Sequence, residues 1–371
     1  MLEIYAGKKA LKAIQEHGFK QELFTHFLGA SGGPKWFTLF GLDKYLFGHF
    51  FKNRESELNI IGSSAGAFRA ACLTQKDPVS AITNLAYNYA NTVYSRKPTP
   101  QEISNSAKDI VNIILSGDAT NEIITNNIFK AHFIVAKCRG LTASENKWLQ
   151  GAGLISSLLL NKMDRKLLSK QYQRYIFKSP ASHLTINDPY HFESVYQDLT
   201  IDNVKDALLA SGSIPMIMSG VKNIVGVDKG TYRDGGIIDY HFDFTLMNNL
   251  AKETPLPSEI MPDKASSFTA KDLVLYPHFS NTPKAGWFDK NAKRKVLAQS
   301  YENTVLLAPS QKFIESLPYS KIPDRTDFTK MDAAVRIKYW EKVLDETTQL
   351  AECFNEFVIK QEIGKIKAFK P

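Results

Sequence analysis

Leu58-Asn59-Ile60-Ile61-Gly62-Ser63-Ser64-Ala65-Gly66 runs an apolar, strand-like segment directly into a serine set between glycines. The residues that follow, Ala65 to Leu73, have a helical pattern, so the segment reads as a strand turning sharply into a helix with Ser64 at the apex. Glycines flank such an elbow because the apex needs unusual backbone angles and close packing on either side. A serine held there stands at the end of a sheet, against a helix N-terminus, where a nucleophile for acyl transfer is wanted. The small residues Ala65, Gly66 and Ala67 leave room around it.

A second match, Gly29-Ala30-Ser31-Gly32-Gly33, follows the apolar stretch Phe24 to Leu28 and precedes a helical pattern from Trp36 to Phe51. Two such units packed as neighbours bring both loops to the carboxyl ends of parallel strands, where open α/β sheets build their sites. The loops suit different tasks. Gly32-Gly33-Pro34-Lys35 offers unhindered backbone N–H groups at Gly32 and Gly33. Pro34 then sits near the first helical position, where its missing N–H costs little. The partial positive charge of a helix N-terminus suits an oxyanion. The nucleophile is therefore assigned to Ser64 and the oxyanion hole to Gly32 and Gly33, with the amide of Ala65 as a further donor. A phosphate-binding loop fits less well, because Lys35 is followed by Trp36 where such a loop needs a Ser or Thr for magnesium.

A third element is Asp234-Gly235-Gly236. Asp-Gly on its own is an ordinary turn. Here it comes after the small-residue run Ala210-Ser211-Gly212-Ser213-Ile214-Pro215 and the apolar stretch Met216 to Val221.

In order and spacing these elements, over roughly residues 22 to 242, resemble the patatin-like phospholipase family. The resemblance lies in Ser31-Gly32-Gly33-Pro34-Lys35, Gly62-Ser63-Ser64-Ala65-Gly66, Ala210-Ser211-Gly212-Ser213-Ile214-Pro215 and Asp234-Gly235-Gly236. It implies a lipid acyl hydrolase with a Ser-Asp dyad. Ser64 matches the family's nucleophile, Asp234 its general base, and Gly32 and Gly33 the glycines of the oxyanion hole. Two departures stand out. Ser31 occupies the first glycine position, and Trp36 replaces the glycine that usually follows the basic residue, which narrows the approach to Ser64. Lys35, Trp36 and Met216 are candidate substrate-binding residues, although Lys35 also reads as a solvated charge and Met216 and Met218 as core. His241, seven residues after Asp234, completes a formal Ser-Asp-His order, but the preferred reading gives it no catalytic role, and His26 reads as a packing residue. No HExxH, paired cysteine or acidic cluster points to a metal, and no cofactor is expected.

The rest of the chain frames this site. Its 371 residues and 43% apolar content supply the core of one large domain, 1–371. Strands are expected near 24–29, 57–62, 131–137, 173–178, 222–228, 272–277 and 303–308. Helices are expected near 34–51, 65–74, 78–95, 101–116, 144–170, 202–210 and 328–360. The alternation indicates a three-layer α/β/α fold with a mostly parallel central sheet. Residues 96–200 read as a largely helical insertion or lid, and 327–371 as a closing helical segment. Three widely spaced cysteines suit a reducing compartment. Met1 to Lys20 lacks an apolar core of signal-peptide type, and no segment reaches the ~20 apolar residues of a membrane span, so a cytoplasmic location is expected. The net charge of +8 comes with no nucleic-acid motif. Leu154 to Leu160, followed by Lys162, Arg165, Lys166 and Lys170, reads either as a buried helix with a wet edge or as a helix that touches an anionic membrane. The expected substrate is a lipid or other apolar ester. A hydrolase of soluble esters or thioesters and an inactive lipid-binding protein are the alternatives.

Overall fold

The computed structural model describes residues 1–248 and 272–371. Its strands are β1 (Leu2–Ala6), β2 (Phe24–Gly29), β3 (Leu58–Ser63), β4 (Phe129–Cys138), β5 (Tyr172–Lys178), β6 (Leu184–Asn187), β7 (Ser194–Asp198), β8 (Val221–Lys222), β9 (Thr231–Asp234), β10 (Thr245–Asn248), β11 (Leu273–Pro277), β12 (Thr304–Pro309) and β13 (Lys367–Ala368). Its helices are α1 (Lys8–His17), α2 (Phe40–Tyr45), α3 (Ala65–Leu73), α4 (Pro78–Ala90), α5 (Pro100–Ile114), α6 (Ala119–Thr125), α7 (Lys147–Met163), α8 (Val204–Gly212), α9 (Gln311–Ser316), α10 (Asp327–Lys330), α11 (Ala333–Glu346) and α12 (Thr348–Lys360). The main sheet runs β13-β1-β12-β11-β2-β3-β4-β5-β7, while β10 and β6 form a separate ribbon. The middle strands β12, β11, β2, β3 and β4 are parallel, and β1 and β5 pair antiparallel at either side of them.

Strand residues alternate between two cores, as a sheet covered on both faces requires. Phe27, Ile60, Leu275 and Leu307 face a large core that includes Leu42 and Phe47, Ala67 and Ala70, Leu208, and Trp340 and Phe354. Leu28, Ile61, Val274 and Leu306 face the opposite layer, with Phe242, Phe279 and Tyr301. Further along that second face, Ala136 and Cys138 of β4 pack with Leu168, Ile237 and Ile238. The fold is a three-layer α/β/α sandwich.

Register at β4 positions the site. β3 ends with Ser63 opposite Ile134, and β9, running the other way, ends with Asp234 opposite the next residue, Val135. The two strands therefore meet end to end along the same strand. The residue after β3 and the last residue of β9 are delivered to one point.

Several expected elements are corrected. The segment 96–200 is not one helical insertion: α5 and α7 lie in it, but so do β4, β5 and β7 of the main sheet. Of the strand expected at 222–228 only Lys222 pairs, and the partner is Thr231 of β9. The intervening residues make a loop with positive φ at Asn223 and Gly226. The helix expected at 34–51 is a succession of 3-10, α and π turns. Gly41 lies in its middle, so close to helix α12 that a Cβ there would come within 2.3 Å of the Thr347 carbonyl oxygen. The helix expected at 144–170 ends at Asp164, whose carboxylate accepts the Lys166 N–H and starts a separate 3-10 turn. The closing segment divides into α10, α11 and α12.

Candidate active site

The glycines of the elbow are explained by contact between backbones. A Cβ on Gly66 would lie 1.7 Å from the carbonyl oxygen of Gly29, and one on Gly62 would lie 2.2 Å from the Gly66 carbonyl. Helix α3 can start directly over β2 and β3 only because these three positions carry no side chain. Ser64, at the turn, adopts φ 54° and ψ −126°, a conformation strained for a residue with a Cβ. Its N–H donates to the hydroxyl of Ser211 (3.0 Å), which in turn donates to the Ile134 carbonyl (2.8 Å). The run Ala210–Pro215 thus braces the elbow.

From that apex Ser64 Oγ donates to Asp234 Oδ2 at 2.7 Å. The other carboxylate oxygen, Oδ1, accepts the Gly236 N–H at 2.7 Å. The two glycines after Asp234 are dictated by space. A Cβ on Gly235 would sit 2.1 Å from the Ile134 carbonyl oxygen, and one on Gly236 would sit 2.5 Å from Ser31 Oγ. Burial raises the Asp234 pKa to about 6, against the opposing pull of the Ser64 hydroxyl, the Gly236 N–H and the charges of Lys290 and Arg325. Lys290 is itself pushed down to about 8, mainly by burial and then by Arg325, and its ammonium lies 4.0 Å from the centre of the Tyr240 ring. Sequence reasoning missed both cations, since neither belongs to a motif: Lys290 is one of several basic residues over 290–295, and Arg325 lies in an unremarkable polar stretch.

The first loop takes a different shape. Gly32 has φ 156° and Gly33 φ 56°, and Gly33 opens a short 3-10 helix with Pro34 at its start. Ser31 is buried, and its hydroxyl bonds to the Ser63 hydroxyl (2.7 Å) and the Ser63 carbonyl (3.1 Å). Ser63 Oγ donates to the Asp239 carbonyl at 2.6 Å. Neither Ser31 nor Ser63 lines the cavity that Ser64 faces.

That cavity has a volume of about 390 Å³ and an apolar wall in which Trp36, Phe68, Leu85, Ile103, Ile110 and Phe328 take part. Gly33, Ala65, Met216 and Met218 also line it. Lys35 does not line it. Its ammonium pairs with Asp324 at 3.4 Å and lies over the Phe279 ring.

His241 is turned elsewhere. It is buried, its Nδ1 accepts the Lys284 N–H at 2.9 Å, and its ring packs edge-on against His278. Burial, with His278 and nearby lysines, drives its pKa well below the ordinary value. Among the described residues no group of three or more His, Cys, Asp or Glu side chains is arranged to hold a metal ion.

The family model for the patatin-like phospholipases matches residues 58–242, from the first residue of β3 to just beyond the Asp-Gly-Gly turn. The chain belongs to the patatin-like phospholipase family. A search of curated proteins returned no match. This is a family of lipid acyl hydrolases, and the matched span contains both Ser64 and Asp234. The first glycine loop, residues 29–33, lies outside it.

Proposed function

We propose that the chain is a serine hydrolase of lipid esters, with Ser64 as nucleophile and Asp234 as its base. One observation carries this reading: a hydroxyl at a strained elbow donates at 2.7 Å to a buried carboxylate, at the wall of an apolar cavity. A carboxylate with a pKa of about 6 is ionised at neutral pH yet more basic than an exposed one, so it is suited to take the hydroxyl proton. Ser64 Oγ attacks the acyl carbonyl as its proton passes to Asp234 Oδ2. The negative charge that develops on the carbonyl oxygen is received by N–H groups of Gly32 and Gly33, with that of Ala65 at the start of α3 beside them. Asp234 then returns the proton to the departing alkoxide, and water, deprotonated by the same carboxylate, releases the acyl group. The cavity would hold the acyl chain against Trp36, Phe68 and Met216.

A fluorophosphonate probe tests this reading. We expect one adduct, mapped by mass spectrometry to Ser64, with ester turnover lost in parallel. An adduct on Ser31, or full turnover after Ser64→Ala, overturns it.

A further inference from the structure

Helix α7 is built inside out. Its buried positions are Gln150, Gly153, Ser157 and Asn161, which recur at helical spacing and are polar or small. Each is used. Gln150 accepts the Met216 N–H and donates to the Ser144 carbonyl. Gly153 lets the helix lie on the backbone of Leu141 and Thr142. Ser157 bonds to the Tyr172 hydroxyl, and Asn161 to Asp289. The opposite face carries Trp148, Ile155, Leu159 and Met163, which are 88%, 62%, 57% and 77% exposed. Leu149 and Leu158, also exposed, widen it. A surface helix in water normally shows the reverse arrangement, and a contiguous exposed apolar face marks a docking surface.

We propose that this face lies in the surface of an anionic lipid bilayer and delivers lipid to the Ser64 cavity. Charge complementarity identifies the occupant. Exposed Lys147 stands at one end of the face and exposed Lys162, Lys166 and Lys170 at the other, on a chain of net charge +8. These lysines would oppose one another across a dimer of two copies, whereas lipid phosphates would neutralise them. Trp148 supplies a ring of the kind that favours the boundary between headgroups and acyl chains. None of the described helices is long and apolar enough to cross a membrane, so α7 lies on the bilayer rather than in it. The face is continuous with the cavity: Lys147 lines the cavity, and Gln150 holds the backbone of Met216 in its wall. The inference rests on the hydrolase reading only for the statement that the cavity receives a lipid.

The test uses the full chain carrying Ser64→Ala, so that no lipid is consumed. It is sedimented with vesicles of phosphatidylcholine alone and of phosphatidylcholine mixed with phosphatidylglycerol. Partition onto the anionic vesicles is expected to fall as salt rises. Combining Trp148→Ser, Ile155→Ser and Leu159→Ser should lower that partition by roughly tenfold or more. In an otherwise unaltered chain the same three changes should leave turnover of the soluble ester p-nitrophenyl butyrate unchanged. Combining Lys162→Gln, Lys166→Gln and Lys170→Gln should weaken anionic binding by roughly tenfold and flatten its salt dependence. Absence of vesicle binding, equal binding by the serine variant, or a dimer that the serine variant disperses would each overturn the proposal. Vesicle binding that persists while the unaltered chain fails on the soluble ester counts against the hydrolase reading alone.

Discussion

The two glycine elbows start from the same sequence pattern on adjacent parallel strands and end in opposite roles. After β3 the helix begins at once, so Ser64 is pinned at positive φ and stands out over the cavity. After β2 the helical turns begin at Gly33, so Gly32 and not the serine stands at the turn, and Ser31 folds back into a hydroxyl chain with Ser63. What separates them is where helical structure starts. A serine at the apex is presented, whereas a serine one residue earlier is absorbed into the support.

The sharpest way to break this contrast is to remove each hydroxyl. Ser64→Ala should lower ester turnover by roughly 10⁴-fold or more, whereas Ser31→Ala should leave most of it and lower the melting temperature. Comparable turnover losses in both variants would end the division of labour.

The glycines test the same division through the backbone. Gly66→Ala forces a Cβ into the Gly29 carbonyl, so it should cost more than the ~1–3 kcal/mol of ordinary overpacking, seen as a large fall in unfolding midpoint. At Gly33 the nearest atom to an added Cβ is the Tyr89 hydroxyl at 3.4 Å, so space is available. The positive φ alone should make Gly33→Ala cost about 1–2 kcal/mol. Turnover should drop by about 10²–10³-fold as the N–H is displaced. A Gly33→Ala enzyme of near-normal speed would move the oxyanion hole elsewhere.

Asp234 ties the presented serine to pH. Its folded pKa lies above the ordinary 3.8 because burial penalises the charged form. The native protein therefore holds this proton more tightly than the unfolded chain. The resulting stability is fully present below pH ~4 and is lost as pH rises through about 6. Asp234→Asn escapes that loss. The variant should be inactive but more stable than the parent at pH 7–8, by about 1–3 kcal/mol, with the gap closing toward pH 4. Denaturant titrations at the two pH values check this, and a variant less stable at pH 8 would contradict it. The smallest effect on turnover is expected at His241. His241→Asn, whose side-chain oxygen can still accept the Lys284 N–H, should leave the acid limb of the pH–rate profile near 6. A limb set by His241 would lie lower, since burial depresses that imidazole.

Much of the site could be read from the sequence because backbone crowding writes glycine into the chain. The contacts at Gly62, Gly66, Gly235 and Gly236 are short-range demands of an elbow and of a turn, and the glycines they leave can be recognised from their order and spacing together. The buried parallel strands β2, β3, β11 and β12 announced themselves as apolar runs for a similar local reason. Lys290 and Arg325 reach Asp234 only through the tertiary fold, so nothing near them in sequence signals it. The strand β1 was missed because only Ile4 and Ala6 are buried, which gives too short an alternation to stand out. The loop after β8 reads as strand because Ile224, Val225 and Val227 are apolar, although the turn at Val225-Gly226, with positive φ at Gly226, belongs to a hairpin connection.

The strand β1 pairs along its whole length with β12, Leu2 opposite Pro309 and Ala6 opposite Val305, and β13 then closes on its other side. During synthesis β1 emerges about 15–60 s before β12, at ~5–20 residues per second. Its backbone N–H and C=O groups have no ladder to join in that interval. The central strands β2, β3 and β4, closer together in the chain, can associate first, so completion of the sheet at this side is a late event set by translation rather than by local propensity.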